Sequence, residues 1–293
     1  MLDHHWQTPR EPERVVILGR RGFVAGAVVE RLERRAVETL ALGSNEVDLL
    51  ASGAADALAA RLTESDALVI VSAIAPCKDI RALIDNLIMM RAACEAIGQV
   101  RPAHTLYISS DAVYADEVNP VRESSCAAPA SLHGMMHAAR ELMLKTTVAG
   151  APICILRPSL LYGAADPHNG YGPNRFRRVA TEGKAIVLFG EGEEKRDHVL
   201  IDDLAEIVDL CLAHRSAGVL NVATGKSASF REVAERVAGL FDRAAPVEGT
   251  PRQNPIAHRH FDITACRKAF PRFRYTALKE GLAKAHRDAS GGR

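Results

Sequence analysis

With 293 residues and 47% hydrophobic content, the chain can bury a sizeable core and is long enough for one large domain or two smaller ones. Lys and Arg total 37 against 36 for Asp and Glu, and the net charge of +1 gives no basis for nucleic acid or an anionic membrane as the main partner. Cys77, Cys94, Cys126, Cys154, Cys211 and Cys266 form no CxxC pair, which argues against a zinc ribbon or a disulfide framework. Residues 1–12 read as a polar tail. The stretch up to Arg14 carries Pro9 and Pro12 and lacks the apolar core of a signal peptide. No apolar run approaches the roughly 20 residues of a membrane span, so a cytoplasmic location is expected.

Val15 to Leu32 reads as strand, glycine turn and helix. Gly19 and Gly22 permit backbone angles closed to other residues and leave room for a phosphate, while small Ala25 and Gly26 let the helix lie close to the strand. The loop amides and the positive helix end then face an anion, with Gly19, Arg20, Arg21, Gly22, Phe23 and Val24 as the candidate cradle. The plainer reading is a structural strand, turn and helix.

Ala36 to Leu42 predicts a second strand that ends at Gly43, with Asp48 and Leu49 following. In an NAD-binding unit an acidic residue commonly ends this strand and accepts hydrogen bonds from the adenosine ribose. Here that place holds Gly43. The missing carboxylate, with Arg20 and Arg21 in the loop, suits the extra phosphate of NADP; two solvated arginines and NAD are the alternative.

Asp66 to Ala75 is a continuous apolar run, as a strand buried on both faces requires, and Ser72 and Ala73 fall at its end. Leu83, Leu87, Met90 and Cys94 give helical spacing over Ile80 to Ile97, and His104 to Tyr114 reads as a strand ending in hydroxyls. Strands alternating with helices of this length imply a doubly wound, Rossmann-type parallel sheet of the α/β class over residues 13–162. From Gly163 the texture changes to a loop rich in Gly, Pro, His and Asn. Segments 163–195 and 223–293 are expected to build a smaller substrate-binding lobe, with 196–222 returning to the main sheet.

Several segments recur in a recognisable order: Gly19-x-x-Gly22-x-x-Ala25, Asp48-Leu49, Asn86, Ser109-Ser-Asp-Ala-Val-Tyr114, Leu156-Arg-Pro-Ser-Leu-Leu-Tyr-Gly163, Gly190-x-Gly-x-x-x-Arg-Asp197 with Asp202-Asp203, and Asn221-Val-Ala-Thr-Gly225. Together they resemble the extended short-chain dehydrogenase/reductase family, the NAD-dependent epimerases and dehydratases acting on nucleotide sugars, from about Arg14 to Ala285. The resemblance implies NAD or NADP bound at the glycine loop, Asp48, Leu49, Ser72 and Ala73. It also implies a homodimer built by the helices that begin near Asp79 and Leu132.

Family chemistry uses Tyr-x-x-x-Lys on one helix face and a Ser or Thr at the end of a strand. The tyrosine transfers the proton, the lysine holds the nicotinamide ribose, and the hydroxyl binds the reacting substrate oxygen. Ser110 takes the hydroxyl place, with Asp111 after it as in the dehydratases. The segment Pro129 to Glu141 aligns in register and sets His133 on the tyrosine and His137 on the lysine. Four-residue spacing keeps both imidazoles on one helix face, and a histidine can exchange protons near neutrality. Three readings stay open: altered acid/base chemistry through His133 with His137 on the ribose, a nucleotide-binding protein without this chemistry that regulates or scaffolds, and a two-histidine metal site that lacks a third ligand. For the substrate, Leu160 replaces an asparagine of the family pattern. Arg157 and Tyr162 remain, and Arg196 and Arg252 occupy the places of arginines that bind a diphosphate.

Overall fold

The computed structural model describes residues 2–116, 119–147, 151–253 and 255–291. In chain order the strands of the first half are β1 (Asp3–His4), β2 (Val15–Leu18), β3 (Thr39–Leu42), β4 (Ala67–Ile70), β5 (His104–Ile108) and β6 (Ile153–Pro158). Then come β7 (Leu160–Tyr162), β8 (Ile186–Leu188), β9 (Lys195–Leu200), β10 (Ser216–Val222), β11 (Ser227–Ser229) and β12 (Val247–Gly249). The helices are α1 (Phe23–Arg34), α2 (Ala54–Ala59), α3 (Ile80–Val100), α4 (Leu132–Thr147), α5 (Pro173–Thr181), α6 (Ile201–Ala213), α7 (Phe230–Ala238), α8 (Thr264–Ala269) and α9 (Leu278–Ser290).

Seven strands form the main sheet in the order β1-β10-β6-β5-β4-β2-β3, parallel except for β1. The apolar runs are explained by cover on both faces. On one side α1 and α6 bury Val28, Leu32, Leu204 and Val208 against Ile17, Val69 and Leu156; on the other, α2, α3 and α4 bury Leu58, Met90, Ile97 and Leu144 against Val16, Leu68 and Tyr107. Val15 to Leu18 pair with Thr39 to Leu42 on one flank and with Ala67 to Ile70 on the other. The next two strands of the chain therefore flank β2 on opposite sides. A crevice opens at their carboxyl ends, the place where open α/β sheets bind ligands.

Two expectations need correction. The polar tail is not detached: β1 pairs antiparallel with β10, and His4 is held by its Nδ1 2.8 Å from Ser216 Oγ and by stacking on His214. The return to the main sheet is made by α6 and β10, whereas β9 is the middle strand of a separate sheet, β11-β9-β7. That sheet, the β12-β8 pair and helices α5, α7 and α9 enclose a second core around Phe176, Leu188, Phe230 and Leu282. Among the described residues no helix is long and apolar enough to cross a membrane, and the six cysteines are free.

Candidate active site

The crevice between β2 and β4 holds a cavity of about 340 Å³ lined by Gly19, Arg21, Gly22, Gly43, Asp48, Leu49, Ser72 and Ala73, among others. Gly19 has φ +111°, and a Cβ there would lie 2.9 Å from the Ser72 amide nitrogen, so only glycine lets the loop approach β4 this closely. Gly22 precedes α1 without any side-chain cap, which leaves the first α1 amides to a ligand. Phe23 and Val24 supply amides of that first turn, while their side chains pack on the main core.

At the end of β3 the structure supplies a carboxylate that sequence spacing did not reveal. Glu46 turns back so that Gly43 N–H donates to its Oε2 at 2.8 Å, and Arg20 Nη1 lies 3.3 Å from its Oε1. The Gly43 bond holds the Glu46 carboxyl below the usual carboxylate range. Arg20 is thus engaged with a carboxylate, while Arg21 lines the cavity.

Helix α4 brings the two histidines to the neighbouring strand ends. Ser131 caps it, accepting from Gly134 N–H at 3.1 Å. A side chain at position 134 would collide with the Ala112 carbonyl oxygen, so Gly134 allows the helix to seat against the turn that carries Asp111. His133 and His137 meet edge to face, with ring centroids 4.8 Å apart. Cys77 N–H donates a long hydrogen bond, 3.4 Å, to His133 Nδ1, and burial lowers the His133 pKa. His137 lies deeper: its Nδ1 is 2.7 Å from the Tyr107 hydroxyl, and burial, aided by His133 and Arg140, keeps its pKa well below the usual value. Burial lifts the Tyr107 phenol to about 12, so Tyr107 donates and His137 Nδ1 accepts, which puts the neutral imidazole's proton on Nε2. Among the described residues no group of three His, Cys, Asp or Glu side chains could hold a metal.

Ser110 Oγ caps the Asp111–Val113 turn by accepting from Ala112 N–H at 3.1 Å. Burial raises the Asp111 pKa, against the pull of Arg259, whose Nη1 is 3.5 Å from Asp111 Oδ2 and 2.6 Å from its carbonyl oxygen. Asp111, Ser131, Leu160, Arg196 and Arg259 line a second cavity of about 250 Å³. Arg196 pairs with Glu194 at 2.6 Å and Arg252 with Glu193 at 2.5 Å, so both predicted diphosphate arginines rest on glutamates of the Gly190 turn.

Arg157 and Tyr162 line neither of these two cavities. Arg157 is 5% exposed and spends its guanidinium on Glu141 and the Tyr114 hydroxyl; Tyr162 is buried against Gly281. Their strands turn these side chains into the interior. Sequence reasoning missed Tyr107, Arg140, Glu46 and Arg259. The first two sit at helical or strand spacing next to named residues, but Arg259 reaches Asp111 from far along the chain and left no local signal.

Residues 15–223 match the NAD dependent epimerase/dehydratase family. A dTDP-L-rhamnose 4-epimerase of Burkholderia thailandensis is 28% identical over 144 residues, 46% of this chain; the chain spans only 40% of that protein's length. The UDP-N-acetylglucosamine 4-epimerase of Methanobrevibacter ruminantium, solved with UDP-N-acetylmuramic acid, has a TM-score of 0.84 at 21% identity, covering 97% of this chain and 100% of that one. The Thermus thermophilus UDP-glucose 4-epimerase, solved with NAD, has a TM-score of 0.83 at 22% identity, covering 96% of this chain and 100% of that one. The structural likenesses establish the doubly wound fold with its added lobe, and the family match runs from the first strand of the glycine loop through the last parallel strand. The chain therefore belongs to the NAD dependent epimerase/dehydratase family.

Proposed function

We propose that the chain binds NAD at the Gly19 crevice and uses it to epimerise, dehydrate or reduce a sugar carried on a nucleoside diphosphate, with His133 as the proton-transfer group. The carrying observation is that a glycine cradle which a Cβ would fill stands on the same strand-end edge as Ser110, Asp111 and the α4 histidines. The α1 amides would hold the pyrophosphate, and Asp48 and Leu49 would flank the adenosine. Glu46, on Gly43 N–H and Arg20 at the end of β3, would be in reach of a ribose hydroxyl and would repel a ribose phosphate, which favours NAD over NADP.

A nicotinamide held there would supply the hydride acceptor and donor. The chain's own residues handle the proton. His133 in the tautomer with its hydrogen on Nδ1 gives up the long Cys77 contact and frees Nε2 to take the sugar hydroxyl proton. Ser110 would orient that oxygen, and Asp111, its carboxyl raised by burial, can return a proton where water must leave. His137 supports His133 from below, because its own Nδ1 is taken by Tyr107. Arg196 and Arg252 would receive the diphosphate, and the exposed ring of Phe189, whose carbonyl accepts from Arg252, offers a stacking face to the base. Exposed Ile80 and Ile84 on α3 and Met135 and Leu142 on α4 fit a homodimer through these helices.

Titration with NAD and NADP, then a panel of UDP- and dTDP-linked sugars followed by nicotinamide absorbance and product mass, tests the reading. We expect NAD binding and conversion of at least one sugar. Failure to bind either dinucleotide overturns it, and binding of NAD and nucleotide without turnover across the panel assigns the chain to the non-catalytic reading.

A further inference from the structure

Helix α4 places an uncompensated charge behind the wall of the crevice. Arg140 is 1% exposed, and its Nη2 donates to the Ser72 carbonyl at 2.8 Å. Nη1 reaches Asn86 Oδ1 at 3.5 Å and Met136 Sδ at 3.8 Å, and Cζ lies 5.2 Å from the Tyr107 ring centroid. Nε has no hydrogen-bond partner. The other buried arginines differ: Arg157 has Glu141, and Arg259 has Asp111 and Asp116. Among the described residues no carboxylate comes within 4.0 Å of Arg140. A guanidinium taken out of water without a counter-charge is strongly unfavourable, so its presence calls for an offsetting role.

Ser72 shows where that charge acts. Its amide faces Gly19 in the cradle and its carbonyl rests on Arg140, so the guanidinium stands one peptide behind the crevice. A dinucleotide anchored at Gly19 has to pass the segment Ser72–Ile74 to bring its reacting ring towards Ser110 and His133. The oxidised nicotinamide ring carries a positive charge; the reduced ring is neutral.

We propose that Arg140 tunes the bound cofactor: its unpaired charge disfavours the oxidised ring and so strengthens the site's pull on a hydride from the substrate carbon. This rests on the crevice being an NAD site. In the step itself the sugar carbon gives its hydrogen with both electrons to the oxidised ring, and the hydroxyl proton goes to His133. Arg140 exchanges no proton.

The test compares dissociation constants for NAD and NADH by fluorescence titration in the wild type, Arg140→Lys, Arg140→Gln and Arg140→Met, with a thermal melt for each. A tenfold preference for NADH corresponds to about 1.4 kcal/mol, which one charge acting through protein can supply. We expect the wild type and Arg140→Lys to show it, and Arg140→Gln and Arg140→Met to fall towards parity. A merely structural role would weaken both forms equally and keep the ratio, which overturns the proposal. So does a wild type without preference, a result that needs no variant to fold. A wild type that binds neither form sinks the cofactor reading itself.

Discussion

Glu141 and Arg157 meet in a buried two-pronged ion pair, Nε to Oε1 at 2.8 Å and Nη2 to Oε2 at 2.5 Å, that ties α4 to β6. Ser109 Oγ donates to Oε1 at 2.6 Å, and Arg157 Nη1 donates to the Tyr114 hydroxyl, which in turn donates to Asn221 Oδ1. Burial works against the Glu141 charge, yet the bond and charge of Arg157 hold its carboxyl below the usual range. Arg157→Met leaves that buried carboxylate only Ser109 and the part-exposed Lys145, 3.6 Å away, and an expected loss of about 3 kcal/mol follows in urea denaturation. The Glu141→Leu/Arg157→Met pair should recover much of it. A single-variant loss under about 1 kcal/mol would show that the network does not hold the fold.

This network also marks the boundary of what the sequence discloses. Runs such as Val15 to Leu18 announce buried parallel strands because both faces need apolar cover, and Gly19 announces a close approach because no other residue fits beside Ser72. Which way a strand residue faces is decided by the sheet, and Arg157 looked like a substrate ligand while serving Glu141. Glu46 reaches Gly43 only through the three-residue turn after β3, and Arg259 reaches Asp111 only once the second lobe has folded against the first. Spacing could place His133 and His137 on one face of α4, but not the depth at which Tyr107 holds His137.

The pairing of Glu46 with Gly43 and Arg20 bears on cofactor choice. In Glu46→Ala the carboxylate that would repel a ribose phosphate is gone and Arg20 is released to meet it. The ratio of NADP to NAD affinity should rise by about tenfold, or about 1.4 kcal/mol, in calorimetric titration. An unchanged ratio would remove Glu46 from the ribose site.

Glutamates of the Gly190 turn compete with any diphosphate for the same arginines. Glu193 holds Arg252 and Glu194 holds Arg196. Such partly exposed pairs are each worth at most about 1 kcal/mol, so they yield to a ligand but tax it. Glu193→Gln/Glu194→Gln should tighten binding of UDP by about three- to tenfold. Weaker binding would mean that the carboxylates hold the arginines in position.

Acid stability follows from the buried imidazoles. Burial lowers His104 and His198 to about 4 and holds His137 well below the usual value. Groups with depressed folded pKa bind protons more readily when unfolded, so the stability they support is whole above about 6.5 and drains as pH falls towards 4. Burial raises Asp197 to about 6, and its contribution runs the other way, lost as pH rises through that value. The histidine share is isolated by His198→Leu, because both ring nitrogens of His198 lack partners and its ring packs on Phe230. That variant should melt higher than the wild type at pH 5, with a gap that narrows by pH 7. A gap independent of pH would locate the effect in packing alone.

His133 carries the reaction in the proposed function. His133→Ala should cut turnover by about 10² to 10⁴-fold while leaving NAD affinity nearly unchanged, since His133 is not among the residues that line the Gly19 cavity. Burial lowers the His133 pKa, so wild-type activity in the oxidising direction should be flat at neutral pH and fall only as the imidazole protonates below about 6.5. Replacing His133 with Tyr and His137 with Lys asks whether the pocket still accepts the family pattern. His137 is buried beside Arg140, and a lysine there would set a second cation against that unpaired guanidinium. The His133→Tyr/His137→Lys variant should therefore be unstable unless Arg140 is also replaced by a neutral residue, and Arg140→Leu in the same chain should restore its folding. If His133→Ala keeps full turnover on an identified substrate, the proton must move elsewhere. Asp111, whose carboxyl burial already raises and whose position on the turn beneath Gly134 is fixed by Arg259, is then the group to replace next.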